Sequence, residues 1–102
     1  PNLSPFNAWV VMKGLETLDL RAHRQSENAL KVGHFLEPRV ARMLHPGLVS
    51  HPQHNLAMRQ MKACGGIFSF EVPGGRAQAH ALLDALMLID ISNNIGDSRS
   101  LM

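Results

Sequence analysis

The 102-residue sequence has one cysteine, no tyrosine and few aromatic residues, which make up 5% of the chain. Because the single Cys64 has no partner for an internal disulfide, the sequence favours a reducing compartment such as the cytoplasm. No apolar run approaches the roughly 18 residues that a membrane-spanning helix needs, and no signal peptide is recognised at the start. We therefore expect no membrane partner.

The sequence also has no cluster of charges of one sign. The formal net charge is +2 and the basic residues are scattered, without the basic stripe and interleaved aromatics that are typical of nucleic-acid binding. The hydrophobic fraction of 45% is ordinary for a folded protein, and the length allows one domain, residues 1–102. We therefore expect a globular domain that does not bind nucleic acid.

The first half of the sequence predicts one long helix. Ser4 and Pro5 are typical of a helix start, Pro38 of a helix end, and Gly14 is a position where the helix can bend. Apolar residues recur at steps of three, four or seven and predict a stripe that faces the core: Val11, Leu15, Leu18, Ala22, Ala29, Val32 and Leu36. The side formed by Phe6, Trp9 and Val10 is then left exposed, and we expect this apolar surface to drive association.

The rest of the sequence predicts alternating strands and helices. The pattern gives strands at 40–44, 67–72 and 89–92, and helices from Pro52 to Gly65 and over 76–88. In the last helix Ala79, Leu82, Leu83 and Leu86 are expected to face inward. The fold class is therefore α/β (α+β), a small sheet with packed helices. The order and direction of the strands remain open.

Three histidines lie within the segment "HPGLVSHPQH", at His45, His51 and His54. A zinc site usually has three or four convergent ligands at a typical spacing, whereas the chain has no second cysteine and no HExxH motif, and this segment has no carboxylate. We favour a loop in which the histidines make local hydrogen bonds, and we predict no metal. Cys64, expected at a helix C-terminus where the macrodipole disfavours a thiolate, is predicted to be structural.

A second loop that is a candidate functional site is the segment 93–97, "NNIGD". By local chemistry it is a tight turn, because asparagine and glycine tolerate left-handed backbone angles and Asp97 can cap a short helix through Ser98 to Leu101.

Four segments, taken together and in order, resemble the second half of the pyridoxal-phosphate enzymes of cysteine and methionine metabolism. They are "SPFNAWVVMKGLETLDLR", "HPGLVSHPQHNLAMRQM", "GGIFSFEV" and "NNIGDSRSL". Within this cystathionine γ-synthase-like family, "ETLDLR" and "NIGDSRSL" are most similar to the O-succinylhomoserine and O-acetylhomoserine sulfhydrylases. Gln25 departs from many relatives, which have histidine there, and this weakens the assignment to a subgroup.

The resemblance implies a truncated C-terminal domain of a fold-type-I transferase whose N-terminal cofactor-binding domain is absent. It implies pyridoxal phosphate as the cofactor of the parent, but no catalytic and no cofactor-binding residue within this chain, since Lys13, Lys31 and Lys62 all lie in helical sequence contexts unlike that of the Schiff-base lysine. The fragment alone is expected to be inactive and to bind the cofactor weakly or not at all. It also implies that Asn94, Ile95 and Gly96 help to bind the substrate α-carboxylate.

The resemblance further implies that the parent makes homocysteine by γ-replacement from O-acylhomoserine and sulfide, in methionine biosynthesis, as a homotetramer. A cystathionine γ-synthase, or a methionine or cystathionine γ-lyase of the transsulfuration type, is the alternative for the parent. For the fragment itself the alternative is a non-catalytic folding or assembly module.

Overall fold

Helices dominate residues 2–102, the part of the chain that the computed structural model describes. The helices and strands are α1 (Pro5–Leu15), α2 (Leu18–Leu36), β1 (Arg42–Leu44), α3 (His54–Gln60), β2 (Ser69–Glu71) and α4 (Gly75–Asp84). A single 3-10 turn, Glu37–Arg39, connects α2 to β1. Strands β1 and β2 pair antiparallel, with Met43 opposite Phe70. The expected class, helices packed on a small sheet, is confirmed.

The prediction of one continuous long helix was wrong, because two helices, α1 and α2, occupy this part of the chain. The start is as expected, because the Ser4 hydroxyl accepts a hydrogen bond from the Asn7 N–H at 3.2 Å and Pro5 occupies the first turn. The helix stops at Leu15, one residue beyond Gly14, and restarts at Leu18. The guanidinium of Arg21 donates to the Gly14 carbonyl at 2.6 Å, which satisfies an acceptor that the break leaves open.

The buried face of α2 consists of small residues, Ser26, Ala29 and Gly33. The predicted apolar stripe was wrong in most of its members, because five of the seven are exposed: Val11, Leu15, Leu18, Ala22 and Val32. Serine and glycine carry no apolar signal, so a search for apolar spacing does not find this face. The small side chains allow close approach: a Cβ on Gly33 would lie 3.4 Å from the Met43 methyl carbon.

Helix α1 lies away from the core. Among its described residues none is buried, and Phe6 and Trp9 pack on each other with ring centroids 6.2 Å apart. The Phe6, Trp9 and Val10 side is exposed as expected, but so is the opposite side. The radius of gyration is 16.6 Å, against about 13 Å for a compact chain of 100 residues, so the molecule is elongated.

The core lies where α2, β1 and the segment that follows β1 meet. Its buried apolar residues are Ala29, Met43, Leu48 and Ala57, and Leu48 and His45 are fully buried. Strand β2 has the expected unlike faces, with Phe68, Phe70 and Val72 half-buried and the residues between them exposed. Helix α4 also has the expected inward face, because Ala79, Leu82 and Leu83 are its half-buried positions. Leu86, two residues beyond the end of the helix, is half-buried as well.

Most of the later elements are shorter than the sequence predicts: β1 and β2 have three residues each, and α4 ends at Asp84 instead of residue 88. The helix that begins near Pro52 ends at Gln60 instead of Gly65, with Met61 extended. The predicted strand 89–92 does not join the sheet. Instead Asp90 forms an isolated parallel bridge with Leu101, so that the segment 90–102 closes on itself. Among residues 2–102, no helix has the length and apolar character needed to cross a bilayer.

Candidate functional site

The segment 45–54, which we call the histidine loop, is held by the ring of His45. This ring is fully buried, and its Nδ1 accepts a hydrogen bond from the Gly47 N–H at 3.1 Å. Its Nε2 lies 3.2 Å from the Gly65 carbonyl oxygen. Because a carbonyl only accepts and an N–H only donates, both contacts together require the neutral ring with its proton on Nε2. His45 therefore ties two loops together.

The other two histidines of this loop also make local contacts. His54 Nδ1 lies 2.9 Å from the Pro46 carbonyl oxygen, and His51 Nδ1 accepts from the Gln53 N–H at 3.2 Å. The three rings thus stabilise the loop as the sequence predicts. Within residues 2–102, no group of three histidine, cysteine or carboxylate side chains is placed to hold a metal ion.

Cys64 does not lie at a helix terminus, so the macrodipole argument for its role was wrong. Helix α3 ends at Gln60, and Cys64 follows in the irregular segment that leads to β2, where it is half-buried. Its neighbour Gly65 accepts the hydrogen bond from His45. The location next to a structural contact still favours a packing role.

The segment 93–97, which we call the Asn94 turn, is exposed at Asn94, Ile95 and Gly96. The Asn94 N–H donates to the Ser92 hydroxyl at 3.2 Å, and the Ile95 N–H donates to Asn94 Oδ1 at 2.9 Å. Gly96 has a φ of 80°, a left-handed conformation that an L side chain adopts only with strain. The three residues assigned from the sequence therefore form one continuous exposed turn.

The carboxylate of Asp97 closes this turn on its C-terminal side. Its Oδ1 accepts from the Arg99 N–H at 3.1 Å and from the Ser98 hydroxyl at 3.3 Å. The Arg99 N–H is the main reason that the pKa of the Asp97 carboxyl is held below its ordinary value of 3.8, and partial desolvation opposes this effect. The expected helix from Ser98 to Leu101 is absent from the described structure, because Asp97 caps a bend instead.

The chemistry available at the Asn94 turn is hydrogen-bond donation to an anion. A carboxylate accepts from an amide side chain and from backbone N–H groups, and Asn94 and Ile95 supply one of each on adjacent residues. The Ile95 N–H donates to the carboxamide oxygen of Asn94. A bound carboxylate would take the place of that oxygen as the acceptor.

Gln25 is a residue that the sequence did not assign to this site. It lies on α2 and is half-buried, and its Nε2 donates to the carbonyl oxygen of Asp97 at 3.2 Å. The two residues are 72 positions apart. The sequence carries no local signal for this contact, because a glutamine among polar residues of a helix is usually solvated.

Comparisons with known proteins show similarity over nearly the whole chain. The family model described as "Cys/Met metabolism PLP-dependent enzyme" matches residues 1–102. The chain belongs to this family. It is 46% identical over 102 residues to an O-succinylhomoserine sulfhydrylase of Pseudomonas aeruginosa, covering 98% of this chain and 25% of that protein.

Other relatives within the family have different activities in their names. The chain is 41% identical to a cystathionine gamma-lyase of Mus musculus, covering 96% of this chain and 25% of that protein. The solved structure of an O-acetylhomoserine sulfhydrylase of Wolinella succinogenes superposes with a TM-score of 0.93 at 39% identity, over 99% of this chain and 30% of that one. The chain therefore spans about a quarter of the length of the curated relatives that it matches.

The family depends on pyridoxal phosphate (PLP), and the three lysines of this chain do not fit the residue that holds it. A lysine that holds PLP must be shielded and activated in a pocket. Lys13, Lys31 and Lys62 are all exposed, and Lys13 pairs with Glu16 at 2.9 Å. None of these lysines is therefore placed to hold PLP as a Schiff base.

Proposed function

We propose that this chain is the C-terminal domain part of a PLP-dependent O-acylhomoserine sulfhydrylase and that its Asn94 turn binds the substrate α-carboxylate. The whole enzyme would form homocysteine by γ-replacement from O-acylhomoserine and sulfide. The observation that carries the proposal is that two donors, the Asn94 carboxamide and the Ile95 N–H, lie on adjacent exposed residues, where the Ile95 N–H is bonded within the turn to Asn94 Oδ1 and Gly96 adds no side chain beside them.

The turn would act on substrate position. Holding the carboxylate fixes the orientation of the α-carbon relative to the groups that react with it, and correct orientation lowers the barrier. Gly96 allows the backbone to come close to a ligand because no Cβ intervenes. The 46% identity to an O-succinylhomoserine sulfhydrylase supports the assignment of the substrate class.

A cystathionine γ-synthase or γ-lyase is the second candidate for the whole enzyme. The chain is 42% identical to a cystathionine gamma-synthase of Mycobacterium leprae over 97% of its length, close to the values for the sulfhydrylases. The activities differ in their products. An assay of the full-length protein with O-succinylhomoserine should give homocysteine with sulfide, whereas a predominance of cystathionine with cysteine would favour the synthase.

The whole enzyme is further proposed to be a cytoplasmic homotetramer with small-molecule substrates. The exposed Phe6, Trp9 and Val10 supply apolar surface on α1 that another part of the assembly would cover.

The Asn94→Ala variant of the full-length enzyme tests the role of the turn. We expect a higher KM for the homoserine ester and a loss of about 1–2 kcal/mol in transition-state binding, or roughly 5- to 30-fold in kcat/KM. The cofactor absorbance should not change, because Asn94 is assigned to the substrate and not to PLP. Wild-type kcat/KM in this variant would show that the segment is only a turn.

A matched control is Asn55→Ala on α3. Asn55 is exposed and far along the chain from the turn. It should leave KM unchanged.

A further inference from the structure

We infer that Gln25 is a positioning residue for the Asn94 turn: its carboxamide fixes the turn against α2 and so acts on substrate binding without touching the substrate. This inference rests on the proposed function of the turn. It begins from the hydrogen bond that Gln25 Nε2 donates to the Asp97 carbonyl at 3.2 Å.

The shape of the turn and its location have different causes. The shape is set by bonds between near neighbours, such as Ile95 N–H to Asn94 Oδ1 and Arg99 N–H to Asp97 Oδ1. The two ends of the segment 90–102 are joined by a backbone hydrogen bond, which the Met102 N–H donates to the Asp90 carbonyl at 3.0 Å. All of these bonds lie within the segment 90–102. The bond from Gln25 instead connects that segment to the helix on which the core is built.

Asp97 is well placed to transmit this contact. Its carbonyl is held by Gln25 while its carboxylate caps the bend at Arg99, and it directly follows Gly96. A residue anchored at both its main chain and its side chain defines the end of the turn. Loss of the Gln25 bond would therefore free the turn from α2 and let the bonds within it open more often.

The stem of the Gln25 side chain is contacted by the segment before β2. A Cβ on Gly66 would lie 3.2 Å from the Gln25 Cβ, so the segment before β2 packs against the stem of the glutamine. The adjacent Gly65 carbonyl accepts from buried His45. The histidine loop, the Gly65–Gly66 segment and Gln25 thus form a continuous series of contacts that ends at the Asn94 turn.

The contact requires a donor. Glutamate has the same shape as glutamine, but its ionised carboxylate has no N–H and repels a carbonyl oxygen. Methionine has a similar length and neither donates an N–H nor carries a charge. Gln25→Glu and Gln25→Met therefore remove the donor in two different ways, and the methionine variant avoids placing a charge at a half-buried position.

The experiment compares both variants with wild type in the full-length protein, by amide hydrogen exchange and by steady-state kinetics with O-succinylhomoserine and sulfide. We expect the amides of residues 93–99 to exchange roughly five-fold faster, which corresponds to loss of one neutral hydrogen bond, and the amides of α2 to keep their rates. We expect KM to rise several-fold with kcat nearly unchanged. Gln60→Glu, an exposed glutamine at the end of α3, introduces the same charge and should change neither quantity.

The outcomes separate this inference from the proposed function. Unchanged exchange at 93–99 in both Gln25 variants overturns the inference. It is also overturned if KM stays at the wild-type value in them while Asn94→Ala raises it. If KM is unchanged in the Gln25 variants and in Asn94→Ala alike, the substrate role of the turn is wrong, and the inference about substrate binding falls with it.

Discussion

The histidine loop and the Asn94 turn differ in residue type and in exposure. The histidine loop is rich in residues that perform chemistry, yet His45 is fully buried and both of its ring nitrogens are engaged by main-chain groups. The Asn94 turn contains no histidine, and its Asn94, Ile95 and Gly96 are exposed. A side chain whose polar atoms are all occupied inside the protein has nothing left for a ligand. By exposure, and not by residue type, the Asn94 turn is therefore the better candidate for a binding loop.

The largest effect that separates the two loops is expected for His45→Ala. Removing the ring leaves a cavity and two main-chain groups, the Gly47 N–H and the Gly65 carbonyl, without their partner. We expect a loss of about 3 kcal/mol or more in the free energy of opening of the core around β1 and α3. Native-state hydrogen exchange of the amides in these two elements measures it.

His51→Ala is the matched control within the same loop. Its ring makes one local contact with the Gln53 N–H, so the loss should remain below about 1 kcal/mol. Equal losses in the two variants would show that burial of His45 is not what holds the loop.

Gly47→Ala should have the next largest effect. A Cβ at this position would lie 3.0 Å from the His45 ring and 3.0 Å from Leu30 Cδ1. Because the ring is bound at both nitrogens it cannot move away freely, and we expect a loss of about 1–3 kcal/mol from overpacking. The same hydrogen-exchange measurement applies.

Gly14→Ala on α1 is the comparison for this substitution, since a Cβ there meets nothing within 4 Å. Gly14 lies in the last turn of α1 without a positive φ, so alanine should be tolerated there and favoured by less than the roughly 1 kcal/mol of a helix interior. Destabilisation by Gly14→Ala would contradict the assignment of Gly14 to an unhindered helical position.

The smallest effect is expected at the Asn94 turn, from titration of Asp97. Its pKa is lowered in the folded state, so its stabilising contribution is fully present above the unfolded value of 3.8 and is lost as the pH falls through the folded value. The turn should therefore keep its structure from neutral pH down to about pH 5 and loosen only in stronger acid. Side-chain NMR titration of Asp97 checks this directly.

An Asp97→Asn variant, which keeps the acceptor oxygen without the titration, should show no acid-dependent change at Arg99. A pKa of Asp97 at or above 3.8 would contradict the hydrogen bond from the Arg99 N–H.

The sequence predicts the type of most elements but not their extent. The capped start at Ser4, the unlike faces of β2 and the inward face of α4 follow from local rules, and the structure confirms them. Gly14 marks a place where the helix can bend, but the full break after Leu15 and the hydrogen bond from Arg21 back to the Gly14 carbonyl do not follow from local rules. The small-residue face of α2 is likewise invisible to apolar spacing, since close packing selects size there rather than hydrophobicity.

The site is predictable only through the family resemblance. From local chemistry, residues 93–97 are a tight turn with a left-handed glycine at Gly96, and the structure has one. That Asn94 and Ile95 meet a carboxylate remains a prediction. The contact between Gln25 and Asp97 joins residues 72 positions apart and depends on tertiary packing, so no local pattern could have indicated it.

The separation of α1 from the core has a consequence for cooperativity. This helix has 11 residues, and among those that the structure describes none is buried. Isolated helices shorter than about 12–15 residues are only marginally stable in water. Heating the 102-residue chain should therefore remove helicity in two stages, first a gradual loss from α1 and later a sharper transition of the His45 core. A single melting temperature would describe only the second stage, because the two parts share too little packing to melt together.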